Sequence, residues 1–199
     1  MADFYEAYKI TMKHEGGYVN DKDDVGGETY CGIARNYNPS WEGWQLIDSL
    51  KAAAEAVGTP IFPANAYDNK EIDRLVKKFY KERYWDVNLL DHCTSQDVAN
   101  EMFDTGVNMG TARAGKFLQK ALNLLNDNGK RWDDIVEDGV VGKNTLKALD
   151  ACLAFRSDDT LYKILNILQG MHYIEYMTKS PIQEKYAYGW LSRVDFIKK

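Results

Sequence analysis

The run His14-Glu15-Gly16-Gly17-Tyr18-Val19-Asn20-Asp21-Lys22-Asp23-Asp24-Val25-Gly26-Gly27-Glu28-Thr29-Tyr30-Cys31-Gly32-Ile33 decides how the rest of the chain is read. Gly-Gly at each end of an acidic loop requires two sharp backbone turns, because glycine reaches conformations closed to other residues. Upstream, Asp3 with Glu6 makes a capping-box-like start, and Phe4, Tyr8, Ile10 and Met12 form a loose apolar stripe up to Gly16. A helix ending there holds Glu15 in its last turn, where the negative end of the macrodipole disfavours the charged carboxylate. A protonated carboxyl facing a polar loop suits a general acid, and Asp24, nine residues on, lies on that loop with Thr29 beyond it. Taken without its loop, a glutamate before Gly-Gly is more often an exposed helix end.

Tyr18-Val19 and Thr29–Ile33 are β-prone runs flanking the acidic turn, which predicts a small hairpin. Asp21, Asp23 and Asp24 invite a calcium loop. Counted from Asp21, however, an EF-hand register places Val25 and Gly32 where oxygen ligands are needed. Asp21, Asp23 and Glu28 stay open beside Asp24 for the role of second carboxylate.

The pattern E-G-G-Y-V-N-D-x-x-D-x-G-G-x-T-x-x-G-I from Glu15 to Ile33 resembles the signature of family 108 of the glycoside hydrolases, bacterial and phage N-acetylmuramidases with a lysozyme-like fold. Lys22 stands where that family commonly has proline. The Glu–Asp–Thr order is also similar to that of phage lysozymes. The resemblance implies Glu15 as general acid, Asp24 as the group that orients water or stabilises the oxocarbenium-like transition state, and Thr29 as a holder of that water. Tyr18, Asn20 and Asn108 become candidate sugar contacts. Neither cofactor nor metal is implied.

Composition fits a soluble globular chain: 199 residues, 45% hydrophobic and 28% charged. A net charge of −5 lacks the basic field of a nucleic-acid binder, so attraction to an anionic wall polymer has to be local. Lys77, Lys78, Lys81 and Arg83 form one local cluster and read as a solvated helix face. Cys31, Cys93 and Cys152 are widely spaced and odd in number, which predicts reduced thiols; with His14, His92 and His172 they make no metal pattern. The first residues carry no secretory pattern and no stretch approaches a membrane span. The expectation is cytoplasmic synthesis, no membrane insertion, and holin-type or other non-classical passage to the wall.

Further on, Asn38-Pro39-Ser40 is expected to cap a helix through Trp44, Ile47, Leu50, Ala54 and Val57, ending at Gly58. Thr59–Asn65 reads as a loop, and Lys70–Tyr84 as a strongly amphipathic helix. Trp41 and Trp85 read as core anchors before cleft residues. Ser95 caps a helix through Met102 and Phe103 to a glycine-flanked corner at Gly106–Gly110, where Asp104 and Asn108 share a face. Thr111 is expected to cap the next helix, through Leu125. Asp138-Gly139-Val140-Val141-Gly142-Lys143-Asn144-Thr145 resembles the turn-and-helix signature of peptidoglycan-binding modules, and a plain helix-capping loop explains it equally. A long helix from Asp158 (Leu161, Ile164, Leu165, Leu168, Met171) runs to Ser180-Pro181, and a short helix carries Trp190.

The expected architecture is mainly α, a lysozyme-like helical fold with a small β-hairpin after the first helix. Residues 1–92 form the muramidase module, and residues 93–199 a helical peptidoglycan-binding-like module packed against it as one unit. The expected activity is hydrolysis of the β-1,4 bond between N-acetylmuramic acid and N-acetylglucosamine, by a monomer acting on the peptidoglycan glycan strand, as an endolysin or a secretion-activator type protein. The alternative is a non-catalytic wall-binding or secretion-accessory protein that kept the fold. A wall amidase or peptidase needs a zinc cluster or a Cys/His dyad, which the sequence does not show. Chitin shares the bond and stays open as a substrate.

Overall fold

The computed structural model describes residues 1–12, 17–21, 24–58 and 62–195. It is mainly α, with a small three-stranded antiparallel sheet following the first helix. The chain forms two compact units, residues 12–82 and residues 1–11 together with the chain from 83 onward.

In the smaller unit, β1 (Tyr18–Val19), β2 (Thr29–Tyr30) and β3 (Ile33–Ala34) pair in sequence order. The run Thr29–Ile33, expected as one β-prone segment, is broken at Cys31-Gly32. Cys31 (φ 47°) and Gly32 (φ 76°) both adopt left-handed conformations, the requirement of a tight two-residue hairpin turn. Tyr30 and Ile33 then pair across it and are buried on one face. α4 (Lys70–Tyr80) supports this turn, its Tyr80 hydroxyl donating to the Cys31 carbonyl at 2.8 Å.

α4 starts at an Asn69 cap, whose side chain accepts from the Glu71 and Ile72 amides, and it buries Ile72, Leu75, Val76, Phe79 and Tyr80. It ends four residues short of the expected Tyr84, in a π-helical turn over Lys81–Trp85. α2 (Gly43–Ala56) begins later than predicted and without a side-chain cap. Asn38 instead closes the preceding turn, donating to the Ala34 carbonyl and accepting the Trp44 indole N–H on its own carbonyl. Val57 lies outside the buried stripe, 66% exposed, while Trp44, Ile47 and Ala54 face the core. α3 (Ala64–Tyr67) fills part of the expected loop.

The larger unit packs α1 (Phe4–Thr11) on α5 (Gln96–Met109), and α5 on α6 (Thr111–Leu125) and α8 (Asp158–Lys179). Asp3 does cap α1, accepting from the Tyr5 and Glu6 amides, and Gln96 clamps Asp3 by bonding both its N–H and its carbonyl. The α1 stripe is Phe4, Ala7 and Thr11, the true three–four spacing, and Ile10 faces solvent. α1 is described as far as Thr11; the predicted end at Gly16, and with it Glu15, lies outside the described residues.

Trp85 is fully buried, edge-on to Phe4 (5.7 Å between centroids) and Phe103 (6.0 Å). Its indole N–H donates to Asp91 at 2.7 Å, so it anchors the core and lines no cleft. Ser95 caps α5 as expected. At the next corner Gly110 (φ 91°) takes the capping position and Thr111 is the first helical residue. α7 (Lys143–Phe155) follows the Asp138-Gly139 turn. α8 buries Leu161, Leu165, Leu168 and Tyr173, with Met171 turned outward, and α9 (Ala187–Leu191) stacks Trp190 on Tyr173 at 5.2 Å.

Candidate active site

Asp24 sits on the exposed turn that leads into β2. Its Oδ1 accepts the Gly26 amide at 2.8 Å, and its carbonyl accepts the Gly27 amide at 2.9 Å. Gly27 takes φ 67°, which a side chain resists, and this allows the chain to reverse into β2. Asp24 Oδ2 has no partner among the described residues, which leaves one carboxylate oxygen open to water.

Thr29 opens β2, paired with Val19 on one side and Ala34 on the other, and its hydroxyl donates to the Gly27 carbonyl at 3.2 Å. It is half-buried. Tyr18 opens β1, its amide donating to the Tyr67 hydroxyl and its ring edge-on to Phe62 at 4.6 Å. Asn20 is exposed just past β1. Four predicted site residues, Tyr18, Asn20, Asp24 and Thr29, therefore share one short sheet and its turn. Glu15, with His14, Lys22 and Asp23, lies outside the described residues.

The structure separates Glu28 from the other acidic residues. Its carboxylate accepts Lys51 Nζ on Oε1 (2.7 Å), Arg35 Nη1 on Oε2 (2.6 Å) and the Tyr18 hydroxyl (3.0 Å). Burial pushes this carboxyl up, but the bonds from Lys51, Arg35 and Tyr18 outweigh it and hold it below the usual glutamate range. A carboxyl so held stays ionised, which does not suit it to the general-acid role. Arg35 also forks onto Asp48 and lies over the Trp44 ring at 4.9 Å. Nothing in the order of the chain announces this network, because its cations come from β3's end and α2.

A row of aromatic rings backs the sheet: Trp41 stacks on Tyr30 at 6.4 Å, and Tyr30 on Tyr67 at 5.7 Å. Among the described residues no group of three His, Cys, Asp or Glu side chains forms a metal site. Asn108 lies in the other unit, exposed on α5, where its side chain donates to the Asp104 carbonyl one turn back. Asp104 is structural, paired with Arg193 at 2.8 Å and contacted by Gln169.

The family described as Glycosyl hydrolase 108 matches residues 8–110, just over half of the chain, and spans Glu15, Asp24, Thr29 and Asn108. The chain belongs to glycosyl hydrolase family 108. Residues 113–195 match a second family, described as Predicted Peptidoglycan domain. Together the two matches support a role in peptidoglycan hydrolysis, by a glycoside hydrolase. Among solved structures the chain is similar to that of Brucella abortus SagA, with a TM-score of 0.58 and 24% identity over 96% of this chain and 88% of that one. At that identity the likeness speaks for the fold. No curated protein matches.

As a family 108 chain, this one joins its two matched regions at the α5–α6 corner, at Thr111 and Ala112. The Asp138-Gly139 turn is held by a residue that sequence reasoning passed over. The buried Gln119 on α6 accepts the Gly139 amide at 2.7 Å and donates to Asp138 Oδ1 at 2.8 Å. Its signal in the sequence is faint: one amide among the buried residues Ala114, Leu118, Ala121 and Leu122.

Proposed function

We propose that this family 108 glycoside hydrolase is an N-acetylmuramidase, cleaving the β-1,4 bond between N-acetylmuramic acid and N-acetylglucosamine. Glu15 donates the proton to the leaving glycosidic oxygen. Asp24 orients or deprotonates the attacking water, or stabilises the oxocarbenium-like transition state, and Thr29 helps hold that water. The carrying observation is the division of labour among the acids of the loop. Glu28 is neutralised by Lys51 and Arg35, while Asp24 keeps an open oxygen on the exposed turn that follows Glu15 in the chain. Tyr18 on β1 and Asn20 just beyond it, on the chain that leads into the same turn, are assigned as contacts to the sugar. The family matches support the wall polymer as substrate, and we place the action of the protein at the cell wall.

The experiment is digestion of purified peptidoglycan with the wild-type protein and with Glu15→Gln. New reducing ends at N-acetylmuramic acid, lost in a folded Glu15→Gln variant, are the expected result. General acid–base catalysis is typically worth ~10²–10⁴-fold, and an amide has no proton to give. Reducing ends at N-acetylglucosamine, or turnover of chitin oligomers in preference to peptidoglycan, contradict the bond assignment. Near-normal turnover by Glu15→Gln removes Glu15 from the mechanism.

A further inference from the structure

The segment between α6 and α7 has no helix or strand of its own, yet it is tied down by three amide side chains along one side of α6 and its C-cap. Gln119 holds Gly139 and Asp138, as above. Asn123 accepts the Ile135 amide at 2.9 Å and donates to the Ile135 carbonyl at 2.8 Å. Asn126, almost fully buried, donates to Asp134 at 2.6 Å and accepts the Gly129 amide at 3.0 Å. The spacing of four and then three residues puts all three on the same helical stripe. A loop held at this many points is pre-organised, so a ligand that meets it orders little further chain.

Between this loop and the outer face of α7 runs a furrow of about 610 Å³, floored by Ala148 and Ala151 and walled by Trp132. Through Ile135, Val136 and Asn144 it continues into a shallower depression of about 320 Å³ beside Asp138 and Lys143. The larger volume lies within the roughly 300–1,000 Å³ that encloses small ligands. The Trp132 ring is fixed, because its indole N–H donates to the Leu122 carbonyl at 3.2 Å.

The charges of the furrow are unequal in commitment. Asp134 and Asp138 already accept hydrogen bonds from the amides of Asn126, Gln119 and Val140; Asp133 stands exposed beside them. On the cationic side Lys130, Lys143 and Lys147 are exposed and make no ion pair among the described residues. Arg131 lies over the Phe155 ring at 5.3 Å and pairs with no carboxylate among the described residues. Lys147 lines the furrow, and Lys143, one turn back on α7, lines the depression that continues it.

We propose that this furrow binds the peptide stem of the wall polymer, a short peptide with free carboxylates and small apolar side chains. Its carboxylates go to Lys143, Lys147 and Lys130, and its methyl groups lie against Trp132, Ala148 and Ala151. A stem-free glycan strand offers hydroxyls, acetamides and a single lactyl carboxylate per muramic acid, and it lacks the alanyl side chains and the several carboxylates of the stem. The assignment rests on the reading that the substrate is peptidoglycan, and it supplies the local attraction that an acidic chain otherwise lacks.

The test uses the full chain and a sugar-free stem tetrapeptide, alanyl-γ-glutamyl-diaminoacyl-alanine, titrated by calorimetry and by NMR of the Trp132 indole. Binding that shifts the indole signal is expected, weakened roughly tenfold or more by Lys143→Glu with Lys147→Glu. The wild-type protein should lose affinity similarly for the same peptide with its carboxylates amidated. Wild type that ignores the peptide, or a double variant that binds it as well as wild type does, overturns the proposal. So does a stem-free glycan that moves the indole more than the peptide does. The probe contains no glycosidic bond, so its binding is read independently of hydrolysis. Failure here is thereby distinct from failure of the muramidase assignment.

Discussion

The Lys51 ammonium lies 2.7 Å from Glu28 Oε1, while Arg35 occupies the other oxygen at 2.6 Å. The Glu28 side chain is only 9% exposed, so removing its charge strands Lys51, itself more than two-thirds covered, while Arg35 keeps Asp48. Glu28→Gln should destabilise the protein by about 1–3 kcal/mol, the usual cost of a partly buried charged group left without its partner. The carboxyl titrates below its ordinary value of 4.5, so it binds fewer protons folded than unfolded in acid. Its contribution is present above pH 4.5 and is lost as pH falls through the folded value. Wild-type thermal stability should therefore fall away below pH 4.5, with a shallower acid decline in Glu28→Gln. Superimposable acid limbs for the two proteins would contradict this.

Asp24→Asn tests the second carboxylate with little structural cost, because an asparagine Oδ1 can still accept the Gly26 amide. The variant should keep its thermal midpoint and lose less activity than Glu15→Gln if the aspartate orients water. In that geometry the two carboxyls stand ~6.5–9.5 Å apart and the product anomer is inverted, whereas a nucleophile stands ~5–5.5 Å away and retains it. NMR of freshly released product is expected to show the inverted α-anomer; a β-anomer makes Asp24 a nucleophile.

Glu101 provides a second and opposite pH dependence. It is buried on α5, accepts the Thr105 hydroxyl at 3.3 Å, and faces Asp104, Asp195 and Asn166. Burial, then the Asp104 charge, pushes its carboxyl up to about 8. The folded state thus holds a proton that the unfolded chain releases near 4.5, and stability is lost as pH rises from there through 8. Glu101→Gln keeps the shape without the titration, so its midpoint should exceed that of wild type at pH 9 and approach it at pH 5. Calorimetry across that range decides, and equal pH slopes would remove Glu101 as the cause.

Gly115 and Gly139 allow α6 and the Asp138 turn to meet backbone to backbone. A Cβ on Gly115 would lie 2.4 Å from the Gly139 carbonyl oxygen. Gly115→Ala should cost about 1–3 kcal/mol by overpacking, and it should also loosen the furrow loop. Chemical denaturation reads the first effect, and weaker stem-peptide binding the second. An alanine variant with wild-type stability would show that the two segments separate cheaply.

Local physics alone determined much of this protein. Asp3, Asn69 and Ser95 cap helices through bonds made within a few residues, and the apolar spacing of α4, α5 and α6 marks their buried faces without reference to any partner. The Glu15–Ile33 pattern was likewise legible, since a run of glycines and acids at fixed spacing carries both its turn and its family. Cys31-Gly32 was not, because a two-residue turn inside a β-prone run differs from a strand only in the sign of φ. Nor was the role of Glu28. Which acid of a loop is neutralised depends on Lys51 and Arg35 arriving from elsewhere in the chain, and Coulomb energy follows distance in space. The same holds for Gln119 and Asn123, whose amides are unremarkable on a helix until a loop 12 to 20 residues away folds onto them.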